Sequence, residues 1–360
     1  MKIFNKKYSK NELLEKIGNI SQLGGIKLME YIDGPGRGVR VAEMKNAAGL
    51  YALVLIDRGL DISYFDYKGA SLVWRSNTGD TSPFLYESQK NEWLRTFFGG
   101  LLCTCGLSYM GATCSDGDDE LGLHGRISNS PSYDVSTGNK WDNDDYYFWI
   151  EGKAREALLF FDNLEMQRRI TMSMDGLWIK INDIVTNIGN HVSPLMMLYH
   201  MNFGFPLLDE GAKLIEYKHK IFPSDKEAEK YIDSYNIIEL PKLDYKQRVY
   251  FHDIKGDKNG YSHIILKNEY FNDGKGFGIH LKFKKDTLPF LTQWKNLNTK
   301  EYVLALEPCN SYPRGRSVEK EMGTVKYIKP DEEIGFEIII EVLPSNEDIN
   351  LTHRRNLLEY

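Results

Sequence analysis

Cysteine is scarce. Four thiols, Cys103, Cys105, Cys114 and Cys309, in 360 residues are too few and too unevenly placed for a disulfide scaffold, so reduced thiols are expected. Cys103 and Cys105 lie two apart in LLCTCGL, on one face of a strand. No second pair or histidine follows at zinc-finger spacing, so they are expected in the core rather than on a metal. Long apolar runs are missing as well. The longest are short pieces such as Pro194 to Tyr199, far below the eighteen or so residues of a membrane span. The first twenty residues, MKIFNKKYSKNELLEKIGNI, have no apolar core and no small-residue cleavage site, so a cytoplasmic location is expected. Basic excess is absent: 45 Lys and Arg stand against 51 Asp and Glu, net charge -6, which argues against a large phosphate-binding footprint and a nucleic-acid partner. No internal repeat, low-complexity tract or Pro/Gly/Ser linker divides the chain. Nor is there a metal triad, P-loop or nucleophile elbow. GPGRG at Gly34 to Gly38 is not followed by a strand-to-helix transition with Lys-Ser/Thr. No metal and no cofactor are therefore expected.

What is present is a globular composition, 42% hydrophobic and 27% charged, with enough apolar material for a sizeable core. Residues 8–20, YSKNELLEKIGNI, carry a Ser/Asn start signal and apolar residues at helical spacing, which predicts a short helix. From about residue 24 the texture changes to short apolar or alternating runs, among them GLYALVLIDRGLDISYFDYKG, LWIKINDIVTNIGN, FGIHLKFKK and IGFEIIIEVL. They are separated by turn residues at Lys68-Gly69, Asp175-Gly176, Gly189-Asn190 and Asp331-Glu332. The pattern predicts an all-β sandwich of antiparallel strands. The few short helical interruptions fall around SPFLYESQKNEWLRTFF and SDKEAEKYIDSY. The expected division is an N-terminal helical segment over 1–23, one β domain over 24–345 and a C-terminal extension over 346–360.

Polar residues that interrupt β runs need a partner or a task, and four clusters do so. LIDRGLDIS holds Arg58 between Asp57 and Asp61. ELGLHGRIS holds His124 and Arg126 around Gly125, a residue that permits close approach of a ligand. MLYHMNFGF carries His200 and Asn202 among aromatics. TQWKN and LALEPCN bring Gln293, Trp294 and Glu307. Singly, each histidine reads as well as a core or turn residue, and Arg58 as well as a surface ion pair. Glu307 is sharper: it follows the apolar run Tyr302 to Leu306, where a carboxylate is costly unless it is hydrogen-bonded or its pKa is raised, as a general base requires. Trp294 beside Gln293 suits the apolar face and hydroxyl edge of a sugar. A β protein with this set points to carbohydrate.

The stretch IVTNIGNHVSPLMMLYHMNFGFPLL resembles the signature of the aldose 1-epimerase (galactose mutarotase) family. LGLHGR resembles that family's earlier Leu-His-Gly motif, and ALEPCN resembles its late strand carrying Glu. DRGLDI, GGLL-x-TCGL and LEPCN, at Asp57–Ile62, Gly99–Leu107 and Leu306–Asn310, are similar to an uncharacterised mutarotase-like branch. The resemblance covers about residues 25–343 and implies a galactose mutarotase-like β supersandwich. It also implies His200 as general acid, Glu307 as general base, and His124 and Arg58 as a ring-binding pair. His200-Met-Asn-Phe departs from the family's usual His-x-Tyr/Phe-Phe-Asn.

Together these features give the expectation of an isomerase that interconverts anomers of a sugar by ring opening. Ionised Glu307 would take the C1 hydroxyl proton and protonated His200 would donate to the ring oxygen. Arg58, His124, Asn202, Gln293 and Trp294 are the expected sugar-binding residues, with His200, Glu307, His124 and Arg58 lining one pocket. A small-molecule sugar is the expected partner, no nucleic acid or membrane is, and a homodimer is compatible with the pattern. A non-catalytic sugar-binding or sensing protein, or a lyase or hydrolase on the same sandwich, are the alternatives. A lyase or hydrolase would need a carboxylate pair or a Tyr/His/Arg set.

Overall fold

In the computed structural model, which covers residues 1–360, alternation writes the architecture directly. The strand Asp145–Ala157 buries every second residue and leaves the others exposed or half-exposed, as the two-residue period of a pleated strand requires. Three large antiparallel sheets result, beside three two-stranded ones. The first comprises β1 (Gly25–Glu30), β2 (Arg40–Lys45), β3 (Leu50–Leu55), β4 (Asp61–Tyr67) and β5 (Ala70–Ser71), in that order. Strand β6 (Cys103–Cys105) belongs to another sheet. Next come β7 (Tyr133–Asp142), β8 (Asp145–Ala157), β9 (Asn163–Ser173), β10 (Trp178–Asn187), β11 (Leu198–Phe203), β12 (Ala212–Glu216) and β13 (His219–Pro223). The series closes with β14 (Arg248–Ile254), β15 (Tyr261–Asn268), β16 (Phe277–Lys284), β17 (Phe290–Asn298), β18 (Glu301–Cys309) and β19 (Glu333–Leu343). The eight-stranded sheet runs β7-β8-β9-β10-β19-β16-β15-β12, and the six-stranded sheet β13-β14-β17-β18-β11-β6. The expected all-β sandwich with a few short helices is what forms. No helix is long and apolar enough to cross a membrane.

The main core, which includes Val54, Ile170, Met201, Leu281, Leu306 and Ile338, joins the inner faces of all three sheets. The opposite face of the six-stranded sheet carries a second cluster with Cys103, Cys105, Leu198, Cys309, Trp93 and Phe97. These cysteines are core residues without disulfides. The Lys68-Gly69 turn between β4 and β5 has φ of 51° and 83°, the left-handed pair that a two-residue hairpin demands.

The helix expected over 8–20 forms only over Lys10–Leu14, capped reciprocally by Ser9 and Glu12. Gly18 weakens its continuation, and Asn19 instead caps a 3-10 turn at Ile20–Gln22. The residues before it pair as a small hairpin and send Met1 and Ile3 into the main core. The C-terminal helix, Asn346–Glu359, starts at Ser345 and is docked through buried Ile349, Thr352 and Asn356.

The DRGLD turn proves structural. Asp61 accepts from Thr104 N (3.0 Å), Thr104 Oγ1 (2.6 Å) and Arg168 Nη1 (2.8 Å). Arg168 also grips Asp183, which takes the Tyr199 hydroxyl at 2.8 Å. Arg168, Asp61 and Asp183 are buried throughout, and the network ties β4, β6, β9 and β10 to the strand that bears His200.

Candidate active site

Register brings the acid/base pair together. Antiparallel pairing of β11 with β18 aligns Leu198 with Cys309 and Met201 with Leu306. His200 therefore lies across from Glu307, and Thr292 pairs with Glu307 on the other side. These side chains point away from the main core. Asn310, just past β18, locks the start of β11 by accepting from Met197 N and donating to Leu195 O, each at 2.8 Å. His200 Nε2 and Glu307 Oε1 are 3.3 Å apart, with the residues 4% and 2% exposed.

The pair lies at the base of a cavity of about 450 Å³ lined by Trp93, Phe97, His124, Phe251, Thr292, Trp294 and Arg314, among others. That is within the usual range for small-molecule sites, roughly 300–1,000 Å³. Aromatic rings surround His200: Phe97 at 5.0 Å, His124 at 5.6 Å and Trp294 at 5.7 Å between centroids. His124 packs against Trp93 with the rings tilted, 4.7 Å between centroids, and its own backbone is left-handed, φ 59°. His124 Nδ1 is buried without a partner, leaving Nε2 as the ring nitrogen open to a ligand. Trp294 is half-buried, and its Nε1 donates to Gln247 at 3.0 Å, which fixes the indole plane. Arg314 is already matched: its Nε donates to the buried Glu319 at 2.6 Å.

This apolar enclosure penalises charge. Burial raises Glu307 to about 8. Burial, followed by the neighbouring His124, pushes His200 well below its ordinary value, with Asn202 pulling weakly the other way. Burial also lowers His124 to about 4. Burial therefore favours the neutral pair, a carboxylic acid facing a neutral imidazole, over the expected ionised Glu307 with protonated His200.

The other sequence-derived residues divide. His124 and Trp294 line the cavity with His200 and Glu307. Arg58 does not: it is fully buried and donates to the carbonyls of Ser128, Thr81 and Thr96, so its donors are used up in holding loops. Gln293 points into the opposite face of the sheet, because neighbours on a strand alternate sides. There it contacts His252 at 3.0 Å and donates to Tyr235 O at 2.9 Å. Asn202 shares the His200 face but is buried, its amide donating to Gly100 O and His200 O. Gly125 is required by protein rather than ligand: a Cβ there would collide with the carbonyl oxygens of Gly106 and Tyr109. Sequence reasoning missed Trp93, Phe97, Phe251 and Thr292 as pocket walls. Of these only Thr292 carried a signal, through its alternation with Trp294.

The family profile described as "Domain of unknown function (DUF4432)" matches residues 36–342, and the chain belongs to that family. Solved structures share its fold. A candidate aldose 1-epimerase from Klebsiella pneumoniae superposes with a TM-score of 0.87 at 22% identity, over 93% of this chain and 87% of that one. A galactose mutarotase-like protein from Clostridium acetobutylicum gives 0.62 at 15%, over 89% and 99%. A galactose 1-epimerase from Lactobacillus acidophilus gives 0.59 at 12%, over 89% and 98%. The fold is thus mutarotase-like. A search of curated proteins finds no similar chain.

Proposed function

We propose that this chain is an aldose 1-epimerase-type isomerase acting on a neutral sugar, with His200 and Glu307 as its acid/base pair. The observation that carries the reading is the 3.3 Å contact between His200 Nε2 and Glu307 Oε1 at the base of an aromatic-walled cavity. Mutarotation needs one proton delivered to the ring oxygen and one removed from the C1 hydroxyl. The resting pair carries one transferable proton and one free lone pair. Glu307 donates its proton to the ring oxygen as the bond from C1 to that oxygen breaks, and His200 takes the C1 hydroxyl proton as the C1 carbonyl forms. Rotation about C1–C2 exposes the other carbonyl face, and the same two transfers in reverse close the ring.

Roles are thus exchanged relative to those the family resemblance implies. The exchange rests on the direction of the desolvation shifts, since burial raises Glu307 and lowers His200 and so favours the neutral pair before substrate binds. The carboxylate and imidazolium formed by ring opening lie next to each other and stabilise one another. Trp294 and Phe251 suit the apolar face of a pyranose, and His124 Nε2 suits a hydroxyl. A neutral substrate is favoured because the one cation at the wall, Arg314, is already neutralised by Glu319. The test is NMR exchange between anomers: His200→Asn and Glu307→Gln should each lose about 10² or more of the rate while still binding sugar. Full rates in both would remove the pair from the reaction.

A further inference from the structure

On the face of the six-stranded sheet opposite the cavity, three metal-ligating side chains converge where the chain passes between sheets. Glu216 ends β12, the edge of the eight-stranded sheet, and His219 opens β13, the edge of the six-stranded sheet, with only Tyr217 and Lys218 between them. His252 lies on the adjacent β14. One donor atom from each lies within 4.8 Å of the others. The tautomer of His252 follows from its neighbours. Gln293 spends its amide nitrogen on Tyr235 O, so its oxygen accepts from His252 Nε2 at 3.0 Å, and Nδ1 is left with the lone pair. That Nδ1 is buried with no hydrogen-bond partner, in a residue with no exposed surface, and Glu216 Oε1 is buried and unpartnered too. Two orphaned acceptors in one cluster are costly without a donor or a cation. The Tyr235 hydroxyl is a fourth polar group in the cluster, 2.9 Å from His219 Nε2 and 3.4 Å from Glu216 Oε2.

We propose that Glu216, His219 and His252 form a divalent transition-metal site, of the zinc class, that fastens the edges of the two sheets together. Two imidazoles and a carboxylate match zinc's preference, and Gln293 orients His252 as outer partners of ligating histidines do. Bonds of about 2.0–2.2 Å in a tetrahedron set donors about 3.4 Å apart, which small side-chain rotations reach. The sequence hid the cluster because its third ligand comes from a distant strand, and the site stands against the expectation of a metal-free chain.

The test uses the full chain, stripped with chelator and reloaded with zinc chloride. One zinc per chain should survive desalting and raise the melting temperature. His219→Ala, at a half-exposed position, and Glu216→Gln should fold with a wild-type circular dichroism spectrum, yet bind zinc at least tenfold more weakly and lose the thermal gain. Asp257→Asn, at the separate Asp257, His263 and Glu359 cluster, should retain both. Failure of the wild-type chain to hold zinc, or equal retention in the two ligand variants, would overturn the proposal.

Discussion

Glu307→Gln separates a proton donor from a structural carboxylate. The amide matches the neutral acid in size and keeps a donor and an acceptor, so at pH 7 little packing is lost. What disappears is the transferable proton, and anomer exchange should fall by about 10² or more with sugar affinity changed only slightly. Stability supplies an independent reading. Glu307 is raised from 4.5 to about 8 in the folded chain. Between those values the native state holds a proton that the unfolded chain releases, so the contribution of this group to stability is full below pH 4.5 and is lost as pH rises towards 8. At 1.36 kcal/mol per pH unit, the change between pH 5 and pH 7 is on the order of 3 kcal/mol. Glutamine does not titrate, so the variant should gain on wild type by that amount across the interval. The opposite contribution of His200, whose pKa is lowered, is common to both chains and cancels to first order. Urea unfolding of both proteins at pH 5, 6 and 7, with exchange rates on the same samples, measures the whole pattern. A stability difference that is flat with pH would refute the desolvated carboxylic acid, and a near-normal exchange rate would refute its role.

Other outcomes follow from the same geometry. The exchange rate of the wild type should hold through neutral pH and decline above about 8 as Glu307 loses its proton, which a buffered pH series of NMR rates will check. Arg168→Met should destabilise by about 3–5 kcal/mol, because it strands Asp61 and Asp183 as buried charges; a melting temperature near wild type would contradict the network. Arg58→Met should lower stability by several kcal/mol through three unsatisfied carbonyls and leave KM unchanged in the folded protein. A raised KM at wild-type stability would return Arg58 to the site. Trp294→Ala should raise KM more than it lowers kcat, since the indole offers a binding face and no proton.

The fold was readable from the sequence because turn residues and two-residue alternation are local: Lys68-Gly69 and the β8 pattern need no knowledge of neighbours. The site was readable only in part. His200, His124, Trp294 and Glu307 stand out in the sequence because polar or aromatic groups interrupting apolar strands are conspicuous, and they line one cavity, yet their juxtaposition depends on the order β17-β18-β11, which no local pattern encodes. Gln293 was misplaced although adjacent strand residues cannot both face one ligand, a constraint available from the start. Arg58 misled because a buried arginine satisfied by backbone carbonyls looks, in sequence, the same as one awaiting a ligand. Trp93, Phe97 and Phe251 were invisible since an aromatic that walls a cavity and one that fills a core occupy the same kind of apolar run. The burial that shifts Glu307 and His200 was beyond reach, because it comes from rings on three separate segments, Phe97, His124 and Trp294, closing around His200.

The central claim is most directly tested by NMR exchange spectroscopy on a panel of neutral aldoses and their phosphates, with the wild-type chain present in catalytic amount. Acceleration of anomer exchange for at least one neutral aldose, exceeding that for its phosphate and abolished in Glu307→Gln, is the expected result. Sugar binding without any acceleration across the panel would contradict the account and leave a binding protein on a mutarotase-like fold.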